Sequence, residues 1–208
     1  MNAQRGYSRT VAHAQMGSSQ SQPAPAAASS LEVKQPCVVA MLHRAAQQHP
    51  GGVATVDGAR TRTWKECENR VGRLAAALRD TLKLSANGRV GLVSLNSDRY
   101  FEVFFAVAWA GGIVVPMNIR LAPPEMVEQF NDCEAEIVLI DDAFAAAVVP
   151  VIRAKCPTIK HVVYCGNTPQ SLLKLDYEQL IATHPKPCAD AFRGGRDTFG
   201  LFCAFCVC

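Results

Sequence analysis

Residues 89–121, RVGLVSLNSDRYFEVFFAVAWAGGIVVPMNIRL, constrain the fold more than any other stretch. The turn-forming triplet Ala86-Asn87-Gly88 precedes a short apolar run, so Val90 to Leu95 reads as a strand. Asn96, Ser97 and Asp98 supply side-chain oxygens able to cap a helix start. Tyr100 to Trp109 is apolar at nearly every position, and a helix without a polar face has to be packed on all sides. Gly111-Gly112 stops it, Ile113 to Val115 is a second β-branched run, and Pro116 closes that run. Strand, about fifteen helix-compatible residues, then strand is the pattern of a βαβ unit, whose parallel strands need a crossover of that length.

The flanking segments extend the rhythm. Between Cys37 and Gln48, apolar residues at 38, 39, 41, 42, 45 and 46 predict a helix stopped by His49-Pro50-Gly51-Gly52. VATV, Asp57-Gly58 and ARTRT read as a hairpin, with Asp-Gly supplying the positive φ of a two-residue turn. Thr63 with Glu66 forms a T-x-x-E capping box ahead of a stripe made by Trp64, Cys67, Val71, Leu74, Leu78 and Leu82. Lys65, Glu68, Arg73 and Arg79 form the expected outer face of that helix. Ala122-Pro123-Pro124-Glu125 opens another helix, striped by Met126, Phe130 and Cys133. IVLI (137–140) and HVVY (161–164) are strands. AFAAAVVPVIRAKCP between them is helical, with Pro150 expected to kink or split it. SLLKLDYEQLIATH (171–184) holds a last helix, or a short strand and then a helix. The alternation implies an α/β fold with a mainly parallel sheet and helices on both faces.

Charge and composition exclude several classes. Of the net charge of +3, residues 1–35 carry +2 (Arg5, Arg9 and Lys34 against Glu32), and the remainder is too nearly neutral for nucleic-acid binding. The longest apolar stretch, Val103 to Met117, has 15 residues, two glycines and a proline, short of the ~18 of a membrane span. Nine cysteines, six of them scattered through apolar patterns, point to reduced, buried thiols in an intracellular protein. The first 35 residues, rich in Ser, Ala and Gln and without an acid before Glu32, read as a disordered tail or an organelle transit peptide, mitochondrial or plastid. Without such an address the compartment is cytoplasmic.

The order of these motifs resembles a known family. DGARTRTW (57–64) leads into RVGRLAAAL (70–78). Then come RVGLVSLN (89–96), a helix ending in AGG (110–112), PMNIRL (116–121), the Ala-Pro-Pro-Glu start and IVLIDD (137–142). The run from Val38 to Tyr164 resembles the N-terminal part of the AMP-forming acyl-CoA synthetases and their adenylate-forming relatives. The resemblance implies three segments: a tail over 1–35, a partial AMP-dependent synthetase/ligase N-terminal domain over 36–202, and a divergent Cys-rich end over 203–208. It also implies the chemistry of the full-length family. A carboxylic or fatty acid is activated with ATP and Mg2+ to an acyl-adenylate, then passed to a thiol, usually coenzyme A. The family's phosphate-binding signature is a Ser/Thr/Gly-rich loop ending in lysine, whose amides and cation surround phosphate oxygens. By family order it follows the strand near Gly200-Leu201-Phe202, where this sequence reads CAFCVC. The expectation is therefore a chain truncated before that loop, binding no cofactor and inactive alone. The alternative is a non-catalytic isoform that docks on a full-length homologue or on itself, or holds an acyl chain.

No catalytic, cofactor-binding or metal-binding position of the family maps onto this sequence. Asn118 and Arg120 in PMNIRL are the candidate cleft residues. One reading has them line or brace the substrate cleft at the carboxyl end of a strand. The other has Asn118 bond the turn backbone and Arg120 tie the loop to a neighbouring element. Asp141 and Asp142 are expected to cap the next helix. Cys203-x-x-Cys206-x-Cys208 with Cys188 offers four thiols, but the spacing matches no common metal site. Arg193-Gly194-Gly195-Arg196 reads as a loop before a strand. No H-x-x-x-H pair, G-x-S-x-G elbow or G-x-G-x-x-G follows a strand anywhere.

Overall fold

A computed structural model describes residues 37–168 and 170–202. Expectations for residues 1–35, and for Cys203, Cys206 and Cys208, lie outside the described residues. Helix α1 (Val38–Gln48) buries Val39, Leu42 and Ala46, the three- and four-residue steps of one face. Strands β1 (Val53–Asp57) and β2 (Arg60–Thr63) form the hairpin. Its two-residue loop is Gly58-Ala59, one position later than Asp57-Gly58, with Gly58 at φ +58°. The shift has a cause: the Asp57 carboxylate pairs with Arg60 at 2.6 Å, which holds Asp57 in the ladder opposite Arg60.

Helix α2 (Trp64–Ala76) starts on the capping box. Thr63 N–H donates to Glu66 Oε2 at 2.8 Å, and Glu66 N–H donates back to Thr63 Oγ1 at 3.3 Å. A wider π-turn, Ala77–Thr81, continues it. The stripe from Cys67 to Leu82 is buried, with Trp64 half-buried. The expected outer face is not free. Arg73 donates to the carbonyls of Ile181 and His184, both at 2.6 Å, Arg79 to that of Ala189 at 2.7 Å, and Glu68 accepts from His43 at 2.7 Å. Residues 184–191 lie across this face, and Trp109 Nε1 fixes them by donating to Cys188 O at 2.9 Å. Gly72 permits the crossing, since a Cβ there would sit 2.6 Å from Pro187 Cβ.

The main sheet has the order β4-β3-β5-β6-β7 and is parallel throughout. Its strands are β3 (Arg89–Val93), β4 (Ile113–Pro116), β5 (Ala135–Ile140), β6 (His161–Tyr164) and β7 (Leu175–Asp176). Helix α3 (Asp98–Trp109) joins β3 to β4, capped by Ser97 Oγ accepting from Tyr100 N–H at 3.1 Å. Helix α4 (Pro123–Asp132) joins β4 to β5 and α5 (Asp142–Lys155) joins β5 to β6. Helix α6 (Tyr177–Thr183) follows β7, so residues 171–184 take the strand-then-helix form.

Two cores result. Helices α1, α2, α3 and α6 cover one face, over Val90, Leu92, Ile137 and Leu139. Helices α4 and α5 cover the other, over Val93, Val115, Val138 and Ile140. Alternate strand residues thus point to opposite cores, the period-two consequence of the pleat. Pro150 does not divide α5, which runs 14 residues. Ala146, whose carbonyl loses its partner four residues on, lies on the exposed side with Pro150, where the carbonyl is open to solvent rather than buried without a partner. Phe199 to Leu201 return to the free side of β4: Val114 N–H donates to Phe199 O at 3.1 Å, and Leu201 N–H to Val114 O at 2.9 Å. No helix among the described residues is long and apolar enough to cross a membrane.

Candidate functional site

The topology places a crevice. Adjacent strands β3 and β5 send their chains to opposite faces, β3 into α3 and β5 into α5. Outside the carboxyl ends of such strands the loops diverge, which is where open α/β sheets bind ligands. Here residues 94–97 and 141–143 diverge around a cavity of about 320 Å³, closed by Asp57 and Arg60 of the hairpin and by residues 165–167.

Every charged group on its walls has a partner. Asp141 accepts from Ala143 N–H at 3.0 Å, capping α5, and from Leu95 N–H at 2.7 Å, tying the two diverging loops together. Asp142 is not a cap. It accepts from Tyr164 Oη and from the N–H groups of Asn167 (3.2 Å) and Thr168 (3.4 Å). Burial alone would raise its pKa, but these donors hold it below the usual carboxylate value. Burial and the adjacent Asp142 push Tyr164 up to about 12. Arg99 donates to Cys165 O at 3.0 Å, to Gly166 O, and to Asn167 Oδ1 at 3.1 Å.

Behind the crevice lies an ionic lattice that the motifs do not announce. Asp98, 2% exposed, takes Arg60 at 2.9 Å and Arg62 at 3.1 Å. Glu102, fully buried, takes Arg70 at 2.8 Å, Arg62 at 3.3 Å and the Tyr177 hydroxyl at 2.6 Å. Glu178 closes the set against Arg70 at 2.8 Å and Arg99 at 3.1 Å. Four arginines (60, 62, 70, 99) meet four carboxylates (57, 98, 102, 178), so the lattice is neutral. Burial opposes ionisation of Asp98 and Glu178, yet their arginine hydrogen bonds win and both pKa values fall. Burial and Glu102 raise Tyr177 well above an ordinary phenol. The lattice joins β1, β2, α2, α3 and α6 and fixes the crevice wall through Arg60 and Arg99. The signal in the sequence was Glu102 itself: a carboxylate inside a helix with no solvent face requires a buried partner.

Asn118 and Arg120 stand past the carboxyl end of β4 and do not line this crevice. Asn118 Oδ1 accepts from Arg120 N–H at 3.1 Å, which closes the turn, and both residues are exposed. Arg193 donates to Asn87 Oδ1, to Gly111 O at 3.3 Å and to Thr198 O at 2.8 Å, so it anchors the chain ahead of the β4 edge. Five of the six described cysteines are buried and Cys188 is half-buried. Burial raises Cys67 and Cys165 to about 12, which makes both poor nucleophiles. Among the described residues no group of three His, Cys, Asp or Glu could hold a metal.

A doubly wound sheet with a switch-point crevice defines a ligand-binding α/β class. Within it, the chain belongs to the AMP-binding enzyme family, whose model matches residues 42–191. It is 30% identical to a 3-methylmercaptopropionyl-CoA ligase of Ruegeria lacuscaerulensis, over 72% of this chain and 29% of that protein. It is also 30% identical to a fatty acid–[acyl-carrier-protein] ligase of Streptomyces coeruleorubidus, over 55% of this chain and 22% of the relative. The crystal structure of an anthranilate CoA ligase in complex with anthranoyl-AMP superposes with a TM-score of 0.72 at 26% identity. That alignment covers 79% of this chain and 31% of the other. The chain thus spans less than a third of these proteins, and they support an N-terminal part of an AMP-forming acid–thiol ligase.

Proposed function

We propose that residues 42–191 form the N-terminal scaffold of a ligase that activates a carboxylic acid with ATP and transfers the acyl group to a thiol. The match of one family model across these residues carries the reading, and the acyl-CoA and acyl-carrier-protein ligases among its relatives support the reaction class. The full-length family uses ATP, Mg2+ and coenzyme A. The described residues do not fit the triphosphate or its magnesium. Arg60 and Arg99, the cations of the crevice, already bind carboxylates and carbonyls, and the Asp142 oxygens are taken by backbone N–H groups. Nor do the 208 residues hold a Ser/Thr/Gly-rich loop ending in lysine. Within this reading Asn118 and Arg120 brace the rim of the substrate cleft, Asn118 through its turn bond.

The 208-residue chain alone is therefore expected to position no triphosphate, and positioning supplies most of the rate in such chemistry. No acid-dependent ATP–pyrophosphate exchange is expected from it; robust exchange that needs both acid and magnesium overturns this. A chimera tests the scaffold assignment. Residues 42–191 substituted for the matching segment of the Ruegeria ligase should support exchange, and an insoluble or inert chimera counts against a shared module.

A second reading, a non-catalytic docking or acyl-holding module, rests on the β4 side of the sheet. Among the described residues Phe199–Leu201 bond only to Val114, and Phe202 is 69% exposed. Co-elution with a full-length homologue, or self-association, in size-exclusion chromatography favours it; a lone monomer without bound lipid does not.

A further inference from the structure

A groove on the far side of the sheet differs in chemistry from the crevice. It lies where β6 outruns its neighbour: β7 pairs only with Val163 and Tyr164, leaving His161 and Val162 without a strand on that side. The last turns of α5, residues 159–162 and residues 171–175 enclose about 500 Å³. That volume falls within the ~300–1,000 Å³ of small-molecule clefts. Its accessible lining is aliphatic at Ile159, Leu172 and Leu175, over the buried Ile152, and Leu172 stays 39% exposed. Around it stand Arg153, Lys160 and Lys174, and no acidic residue lines the groove. Lys160 pairs with Glu136 at 3.0 Å and Arg153 donates to Leu172 O at 3.3 Å, while Lys174 makes no ion pair among the described residues.

We propose that this groove binds a small anionic amphiphile: an aliphatic chain laid on the leucine and isoleucine side chains, with a carboxylate or phosphate head held by Lys174 and Arg153. Both halves of the inference come from complementarity. An aliphatic surface this concave gains from covering with hydrocarbon, and uncompensated cations at its edge select a negative head.

The test uses the 208-residue chain without ATP, so its outcome is independent of the ligase reading. Decanoate, decyl phosphate, decanol and decyltrimethylammonium, each below its micelle threshold, are titrated while backbone amide shifts are recorded. Decanoate and decyl phosphate should saturate, with shifts confined to residues 152–162 and 171–175. Lys174→Glu with Arg153→Glu should weaken both by about tenfold or more, as expected for losing charged contacts. Leu172→Asp should do the same. Lys65→Glu, remote and exposed, should change nothing, and unchanged amide spectra of the apo variants would establish that they fold. Equal binding of the alcohol or the cation overturns the proposal. So do shifts elsewhere, or attachment to anionic vesicles without saturable binding of the monomeric anions.

Discussion

The two faces of the sheet are held by different forces. Beneath α4 and α5 the contact is hydrocarbon: Met126, Phe130, Val148 and Ile152 press on Val93, Val138 and Ile140. Beneath α2, α3 and α6 an apolar core is crossed at its carboxyl end by four arginines and four carboxylates. The first face is non-directional and tolerant of hydrophobic exchange, while the second depends on each charge finding its partner. The difference tracks the crevice. The ionic side provides its wall, where orientation matters, and a set of fork-shaped guanidiniums fixes orientation better than aliphatic packing can.

Removing one member of the lattice should therefore be the largest single loss. Glu102→Ala leaves Arg70 and Arg62 facing a cavity with one uncompensated charge, a cost of about 3–5 kcal/mol for breaking a buried pair. Urea unfolding measures it, and a loss under 1 kcal/mol would place the lattice in effect at the surface. Acid exposes the same asymmetry. Asp98 and Glu178 have lowered folded pKa values, so their stabilisation is complete above the unfolded carboxylate range. It drains away as pH falls below about 4 through the folded values. Unfolding midpoints taken between pH 7 and 3 should fall steeply for the native chain and less steeply once Asp98→Asn has removed one contributor.

The hydrocarbon face should answer to volume instead. Gly91 of β3 lies under Phe130, and a Cβ added there would strike the ring. Gly91→Ala should cost about 1–3 kcal/mol, the range for overpacking a filled core. The loss should be the same at pH 7 and pH 5. A pH-dependent loss would mean the two faces are coupled through the sheet rather than independent.

The same division decides what could be read from the sequence. IVVP, IVLI and HVVY are short β-branched runs bounded by turn formers, and each is a strand. Their parallel order followed from the helices between them. Glu102 signalled that a buried partner was needed, but the pairing of the lattice was illegible because its pairs are distant in sequence: Arg62 with Asp98, Arg70 with Glu102, Arg99 with Glu178. Periodicity treats Arg73 and Arg79 as a solvated face, since nothing local says that residues 184–191 fold back across them. The split that was one of two expectations at Pro150 did not occur, for a related reason: whether a proline ends a helix depends on whether the orphaned carbonyl meets water, which is a tertiary fact. Asn118 and Arg120 were legible as a turn, and their bond is local.

The smallest effect should come from the most local device. Thr63→Ala removes the side-chain half of the reciprocal cap: Glu66 loses the hydroxyl it accepts from at 2.9 Å and its own N–H loses an acceptor, while the backbone N–H of residue 63 still donates to Glu66. Thr63 also follows directly on Arg62, the residue that spans Asp98 and Glu102. If the cap serves α2 alone, Thr63→Ala costs about 1 kcal/mol, the usual value for a lost N-cap, and adds to Glu102→Ala within about 0.5 kcal/mol. If the cap also sets the strand-to-helix turn that aims Arg62, the two losses fall short of their sum when combined. A double-mutant cycle by urea unfolding separates these outcomes. Additivity is expected, because Glu66 is exposed, its hydrogen bonds among the described residues run to Thr63 alone, and its attraction to Arg62 is a solvent-screened charge effect, while Arg62 is held from the far side by two buried carboxylates.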